Sequence, residues 1–426
     1  MKILTLFFIF ICSVKGFAQQ YTKELDEYFT ALSGLKSFNG NVRVAKNNTI
    51  LLDKSYNIPN EQSTLKVNKE SKFIIASVSK VFVKYAVLKL VEQGKLKLSD
   101  HLNQYIPDFP NGEKISIENL LYHQSGLPRE ITNYEKYESL SLEKTIDLAK
   151  DEKLEFEPGT RTLYSNVGYF ILHDIIDHSS DKGYWNFMQS EIINKYQLKN
   201  TGEFNTSQSV SDFAYGFFTD AGKILPVPVN SINRFETGNY FSTIDDLYTF
   251  STQLLSGKHM KKETALKMFG SDQLLVQAGG RPGYRAYYYQ NLKSGITFIF
   301  TSNFTDIPFQ KVTEDIINLL NGEPYSLPKK INKKAISISD EVLKNYTGKF
   351  ALEADKTQTF TIILEDHSLY IIDRDGEKTK IYPETPSSFF DHPESDDAYQ
   401  FSANSSGQYE LTIISTGIKL KTKRIQ

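Results

Sequence analysis

From Val81 to Val91 almost every position is apolar (Val81, Phe82, Val83, Tyr85, Ala86, Val87, Leu88, Leu90, Val91), and Gly94 follows as a stop signal. A helix apolar on nearly all sides belongs in a core, not at a surface. Upstream, Tyr21 to Leu35 reads as an amphipathic helix. Asn41 to Ala45 and Thr49 to Leu52, around Lys46-Asn47-Asn48, read as a β-hairpin. Downstream, short helices are expected from Ile115 to Tyr122 and from Val167 to Ile176, with another beginning near Ile244 and capped by Ser242 or Thr243. Strand-like runs follow at Leu274 to Ala278, Tyr284 to Gln290 and Ile296 to Thr301, the last two joined at Lys293-Ser294-Gly295.

The pattern changes after residue 322. Residues 323–334, with Pro324, Pro328 and the run Lys329-Lys330-Ile331-Asn332-Lys333-Lys334, have the composition of a linker. Beyond them come short alternating runs at Phe360 to Leu364, Ser368 to Ile372 and Tyr409 to Ile414, with turns at Asp375-Gly376 and Ser406-Gly407. Such spacing predicts a small antiparallel barrel or sandwich over 335–426. A chain of 426 residues is longer than a single core comfortably organises, which agrees with two domains, 19–322 and 335–426.

Residues 1–18 have one lysine near the start, an apolar run from Ile3 to Val14 and then Gly16-Phe17-Ala18, the pattern of a signal peptide. The run is too short to span a bilayer, and no later segment is apolar and long enough to do so. The expectation is an exported protein, periplasmic or secreted. Cys12, the only cysteine, falls in this leader, so the mature chain has no disulfide, thiol nucleophile or cysteine metal site. With 49 basic and 51 acidic residues, nothing in the net charge points to nucleic acid.

Ahead of the apolar helix stand Ser77 and Lys80, three residues apart and so on one helical face. A serine hydroxyl becomes a nucleophile when a base lies beside it. A lysine serves as that base once it sheds its own proton, which apolar surroundings favour. Taken alone, a serine in such a tetrapeptide before a helix is usually just an N-cap. In Tyr164-Ser165-Asn166, on a loop after Pro158-Gly159, a phenol suited to sharing a proton lies two residues from an amide suited to a substrate carbonyl. An Asx-type turn with a packed tyrosine accounts for it equally. His123, without companions at ligand spacing, reads as a structural residue beside a turn. Gly279-Gly280, between the first two strand runs, lets a ligand approach the backbone or forms an ordinary hairpin turn. No cofactor motif and no zinc signature occurs.

Together these stretches resemble the serine β-lactamase and penicillin-binding-protein superfamily, in its class C-like branch. Ser77-Val78-Ser79-Lys80 is similar to its nucleophile motif and Tyr164-Ser165-Asn166 to its Tyr-x-Asn motif. Flanking phrases agree in order and separation: Leu120 to Pro128, Pro158-Gly159-Thr160, and Phe241-Ser242-Thr243 before Asp246-Leu247. The likeness covers roughly residues 25–320, and the tail from Tyr346-Thr347-Gly348 resembles a lipocalin-like barrel appended to some of these hydrolases. The resemblance implies an α+β fold, with a five-stranded antiparallel sheet flanked by helices and a small all-β barrel at the C-terminus. It also implies an acyl-enzyme mechanism: Ser77 attacks, Lys80 and Tyr164 manage the proton, and Asn166 orients the substrate. The backbone N–H groups of Ser77 and Gly280 would form the oxyanion hole.

One motif departs from the family. Where Lys-Thr-Gly or His-x-Gly is usual on the strand lining the cleft, this chain has Gln277-Ala278-Gly279. Glutamine brings no positive charge to a substrate carboxylate. The expected activity is therefore hydrolysis of an ester or amide, on a peptide- or esterase-type substrate. The alternatives are a D-alanyl carboxypeptidase or β-lactamase proper, and a catalytically silent protein that holds cell-wall peptide or a partner.

Overall fold

The computed structural model describes residues 19–425 except 60–62, 138, 206–208, 221, 229–238, 354–355, 357, 375 and 416–417. The expected leader, 1–18, and Asp375 of the expected Asp375-Gly376 turn lie outside the described residues. The chain divides into two compact units, Met1–Asp306 and Ile307–Gln426.

In the first unit a helix over residues 19–34 (α1) buries Leu25, Tyr28, Phe29 and Leu32, a spacing that sets all four on one face. The hairpin follows as β1 (Gly40–Lys46) and β2 (Thr49–Tyr56). The three later runs form β3 (Leu274–Arg281), β4 (Tyr284–Asn291) and β5 (Ile296–Ser302). All pairing is antiparallel, in a five-stranded sheet of order β2-β1-β5-β4-β3. The ends of the first unit thus meet at the β1–β5 seam, where Gly40 pairs with Ser302 and Lys46 with Ile296. Phe29 of α1 packs its ring on Phe38, Tyr56 and Phe298 at centroid distances of 5.1, 5.5 and 6.4 Å. Ile299, one residue from Phe298, points the other way and joins Ala286 and Tyr288 in the large helical core. With both faces covered, β4 is buried almost end to end instead of alternating.

At the centre of that core runs α2 (Lys80–Glu92), with Val81, Phe82, Val83, Tyr85, Ala86, Val87, Leu88 and Leu90 all buried. Helix α3 (Asn166–Ser179) is nearly as enclosed, and α4 (Ile244–Gln253) is capped by Thr243, whose side chain accepts from the Asp246 N–H. Of the two residues expected at that cap, Ser242 lies instead on the strand Tyr240–Ser242, which pairs with Phe73-Ile74. This short sheet fixes the entry of the chain into α2. Among the described residues no helix is long and apolar enough to cross a membrane.

In the second unit, helix Phe309–Asn321 comes first, and residues 323–339 carry neither helix nor strand. Eight antiparallel strands then form a closed barrel in sequence order, sealed where Gly348–Leu352 pairs with Ile418–Arg424. Closure leaves no free sheet edge. The barrel has its own core, in which Phe350, Ile362, Leu369, Phe389, Phe401 and Leu411 surround Tyr346, stacked on Phe401 at 4.5 Å.

Candidate active site

The polypeptide reaches α2 through a 3₁₀ turn, Ala76–Ser79, so Ser77 precedes the α-helix and Lys80 opens it. Ala76 has φ +46, a left-handed conformation that alanine rarely adopts. From Phe73 to Phe82 every residue is buried except Ser77, which is half-buried. The strained turn therefore brings one hydroxyl to the surface of an otherwise closed core. That hydroxyl accepts from the Lys80 ammonium at 3.1 Å and caps no helix, which disposes of the N-cap alternative.

Lys80 is itself buried, with its Nζ 5.3 Å from the centre of the Tyr164 ring and 5.4 Å from that of Tyr169. Tyr164 and Asn166 reach this place on a loop tied down by its neighbours. Ser165 is the N-cap of α3: its Oγ accepts from the Gly168 N–H at 3.0 Å and donates to the Pro128 carbonyl at 2.7 Å. The Asn166 N–H donates to the Arg129 carbonyl at 2.8 Å. An N-cap, not an Asx-type turn, explains the serine between the two residues.

Glu130 and Arg129 belong to this site and were not anticipated from the sequence. The Asn166 amide donates to Glu130 Oε1 at 2.6 Å. An ionised carboxylate only accepts, so this bond fixes which end of the amide faces Glu130 and leaves the Asn166 oxygen turned away from it. The Arg129 guanidinium lies 5.2 Å from the centre of the Tyr164 ring, within cation–π range, and its side chain is largely exposed. No spacing rule marks a charged pair just after Gly126-Leu127-Pro128; only the fold brings it to the loop.

The opposite wall is β3. Gly279 faces the nucleophile turn: a Cβ there would drive into the Ile75 carbonyl oxygen and lie 3.2 Å from the Val78 nitrogen. The close approach that glycine permits is thus to the turn itself, and both Gly279 and Gly280 lie on the strand, with the hairpin turn at Pro282-Gly283. Side chains alternate along a strand, so Gln277 shares the face of Gly279 while Ala278 and Gly280 point away. The Gln277 amide donates to the Ala278 carbonyl at 3.0 Å, along its own strand. Arg285 donates to the carbonyls of Arg281 and Tyr284 at 3.0 and 2.9 Å.

A lysine-paired, solvent-reachable serine facing a sheet-edge strand and a Tyr-x-Asn loop is the arrangement of serine acyl-enzyme hydrolases. The chain belongs to the beta-lactamase family, whose model matches residues 25–320. Penicillin-binding protein 4* of Bacillus subtilis (strain 168) is 26% identical over 419 residues, covering 87% of this chain and 92% of that protein. The octameric penicillin-binding protein homologue from Pyrococcus abyssi shares the fold with a TM-score of 0.62 at 20% identity, over 92% of this chain and 97% of its own. D-amino acid amidase from Ochrobactrum anthropi SV3 does so with a TM-score of 0.59 at 18% identity, over 71% and 97%. As a member of this superfamily the chain is a serine hydrolase.

Proposed function

We propose that the protein is an exported hydrolase that cleaves a neutral ester or amide through an acyl-enzyme on Ser77. The observation that carries this is the 3.1 Å contact between Lys80 Nζ and the one accessible residue of an enclosed segment, Ser77. In its neutral form the Lys80 amine takes the Ser77 proton as the oxygen attacks the substrate carbonyl. Tyr164, whose ring centre lies 5.3 Å from Lys80 Nζ, takes the role of relaying that proton to the leaving group. The Ser77–carbonyl bond forms, the bond to the leaving alcohol or amine breaks, and water then hydrolyses the acyl-serine. The N–H groups of Ser77 and Gly280 receive the oxyanion, and Asn166, steadied by Glu130, orients the substrate. Class C-like membership and export from residues 1–18 belong to the same reading. That one relative is named a penicillin-binding protein and one structural neighbour an amidase supports acyl chemistry without choosing the substrate.

The test is mass spectrometry of the mature protein after exposure to a fluorophosphonate, a penicillin or a p-nitrophenyl ester. A fluorophosphonate adduct and a transient acyl adduct from the ester are expected on Ser77, both absent in Ser77→Ala. Lys80→Ala should abolish acylation, and Tyr164→Phe should slow it by about 10²–10⁴. Labelling on Ser79, or labelling that persists in Ser77→Ala, would exclude this assignment. A protein inert to all three probes would instead be the silent binding member of the family.

A further inference from the structure

Tyr164 is flanked by two hydrogen bonds to a single residue. The Leu163 N–H donates to the His123 carbonyl at 2.8 Å, and the Ser165 N–H donates to His123 Nδ1 at 3.1 Å. Between these bonds the imidazole lies against the phenol it brackets, with ring centroids 4.6 Å apart, and stacks on Tyr169 at 4.9 Å. Tyr169 is anchored in turn, its hydroxyl donating to the Leu121 carbonyl at 3.0 Å. His123 has φ +57, a left-handed conformation at the end of the short helix Ile117–Leu121. That conformation lets the carbonyl and the ring of one residue address both sides of Tyr164.

We infer that His123 is a positioning residue, which accepts the Ser165 N–H at Nδ1 and backs the Tyr164 ring so that the phenol stays beside Lys80. Nδ1 is an acceptor only while the ring is neutral, with its proton on Nε2. A protonated ring would turn N–H against N–H and place a positive charge beside the amines of Lys80 and Lys84. Burial, with those two lysines, holds the His123 pKa down at about 3, so the acceptor persists at any working pH. A histidine serving only to fill space would need the ring and not the nitrogen, and the two roles separate by mutation. Phenylalanine keeps a ring and loses the acceptor. Asparagine loses the ring but places Oδ1 about where Nδ1 stood and tolerates the left-handed backbone.

The inference rests on Tyr164 acting in the Ser77–Lys80 reaction, and the experiment keeps the two questions apart. Steady-state hydrolysis of p-nitrophenyl acetate by the mature chain is measured for wild type, His123→Asn, His123→Phe, Tyr164→Phe and the His123→Phe/Tyr164→Phe double variant, alongside thermal melts. His123→Phe should lower kcat by about 10–100-fold, the scale of a misplaced catalytic group, with KM within about twofold. His123→Asn should stay within about threefold of wild type in kcat. In the Tyr164→Phe background, His123→Phe should cost less than about threefold, because residues acting through one another are not additive. If His123→Phe fails to fold, His123→Ala takes its place with the same expectations. Unchanged kcat in His123→Phe, Asn as slow as Phe, or full additivity with Tyr164→Phe would each overturn the inference. A wild type that forms no adduct on Ser77 would overturn the hydrolase reading, and this inference with it.

Discussion

At the scale of single residues, we propose that Gln277 decides what kind of carbonyl the site receives. Lysine or protonated histidine at this position meets a substrate carboxylate with a charge-assisted hydrogen bond, about twice as strong as a neutral one. Gln277 offers only a neutral amide, half-buried on the strand face that meets the nucleophile turn. Arg285, one candidate to supply the missing charge, is held by two carbonyls of its own hairpin. Wild type should therefore hydrolyse p-nitrophenyl esters and turn over penicillins or cephalosporins poorly. Gln277→Lys with Ala278→Thr should improve β-lactam acylation more than esterase activity. Efficient cephalosporin hydrolysis by wild type that survives Arg281→Ala and Arg285→Ala would rule this out. Buried histidines contribute to the loss of stability in acid. His173, enclosed on α3 against Tyr184, has its pKa pushed down by burial to about 3. Between that value and the ordinary 6.5, the unfolded chain binds a proton that the folded chain refuses. Its contribution is complete above pH 6.5 and is lost as the pH falls, by about 2 kcal/mol at pH 5. Urea unfolding at pH 7 and pH 5 should show a gap that narrows by about that amount in His173→Phe; an unchanged gap would mean the imidazole is not kept neutral.

At the scale of elements, the site exists because β3 presses on the turn before α2. Gly279 is the contact, and its missing Cβ leaves room for the Ile75 carbonyl. Gly279→Ala should push the strand from the turn, separating the Gly280 N–H from the Ser77 N–H, the two donors assigned to the oxyanion in the proposed reaction. Loss of one such donor costs about 10²–10³ in kcat. A comparable loss is expected here, with circular dichroism close to wild type; near-normal kcat would show that β3 does not set the geometry. The left-handed Ala76 belongs to the same device, since the backbone departs from helical geometry just where Ser77 must leave the core.

For the whole molecule, the closed barrel with its own core and the stretch at 323–339, which carries neither helix nor strand, bear on autonomy. The contact division falls after Asp306 and so groups helix Phe309–Asn321 with the second unit. We propose nevertheless that the folding boundary lies in the proline- and lysine-rich linker, 323–334, between a hydrolase domain and the barrel. Limited proteolysis should cut within that stretch and leave two stable fragments. Cleavage near residue 306, or collapse of the remainder after one cut, would move the boundary.

The sequence by itself determined the elements whose signal is local: the core helix behind Lys80, the hairpin, the three late strands and the alternation of the barrel, each marked by periodicity or turn chemistry. It also marked Ser77, Lys80, Tyr164 and Asn166, because short fixed motifs leave a trace independent of what surrounds them. Tertiary structure alone decided what those residues face. That His123 brackets Tyr164, that Glu130 orients Asn166 and that Gly279 abuts Ile75 are contacts between segments about 36 to 204 residues apart along the chain. No periodicity records such a contact, because what selects each partner is the shape of the space across from it.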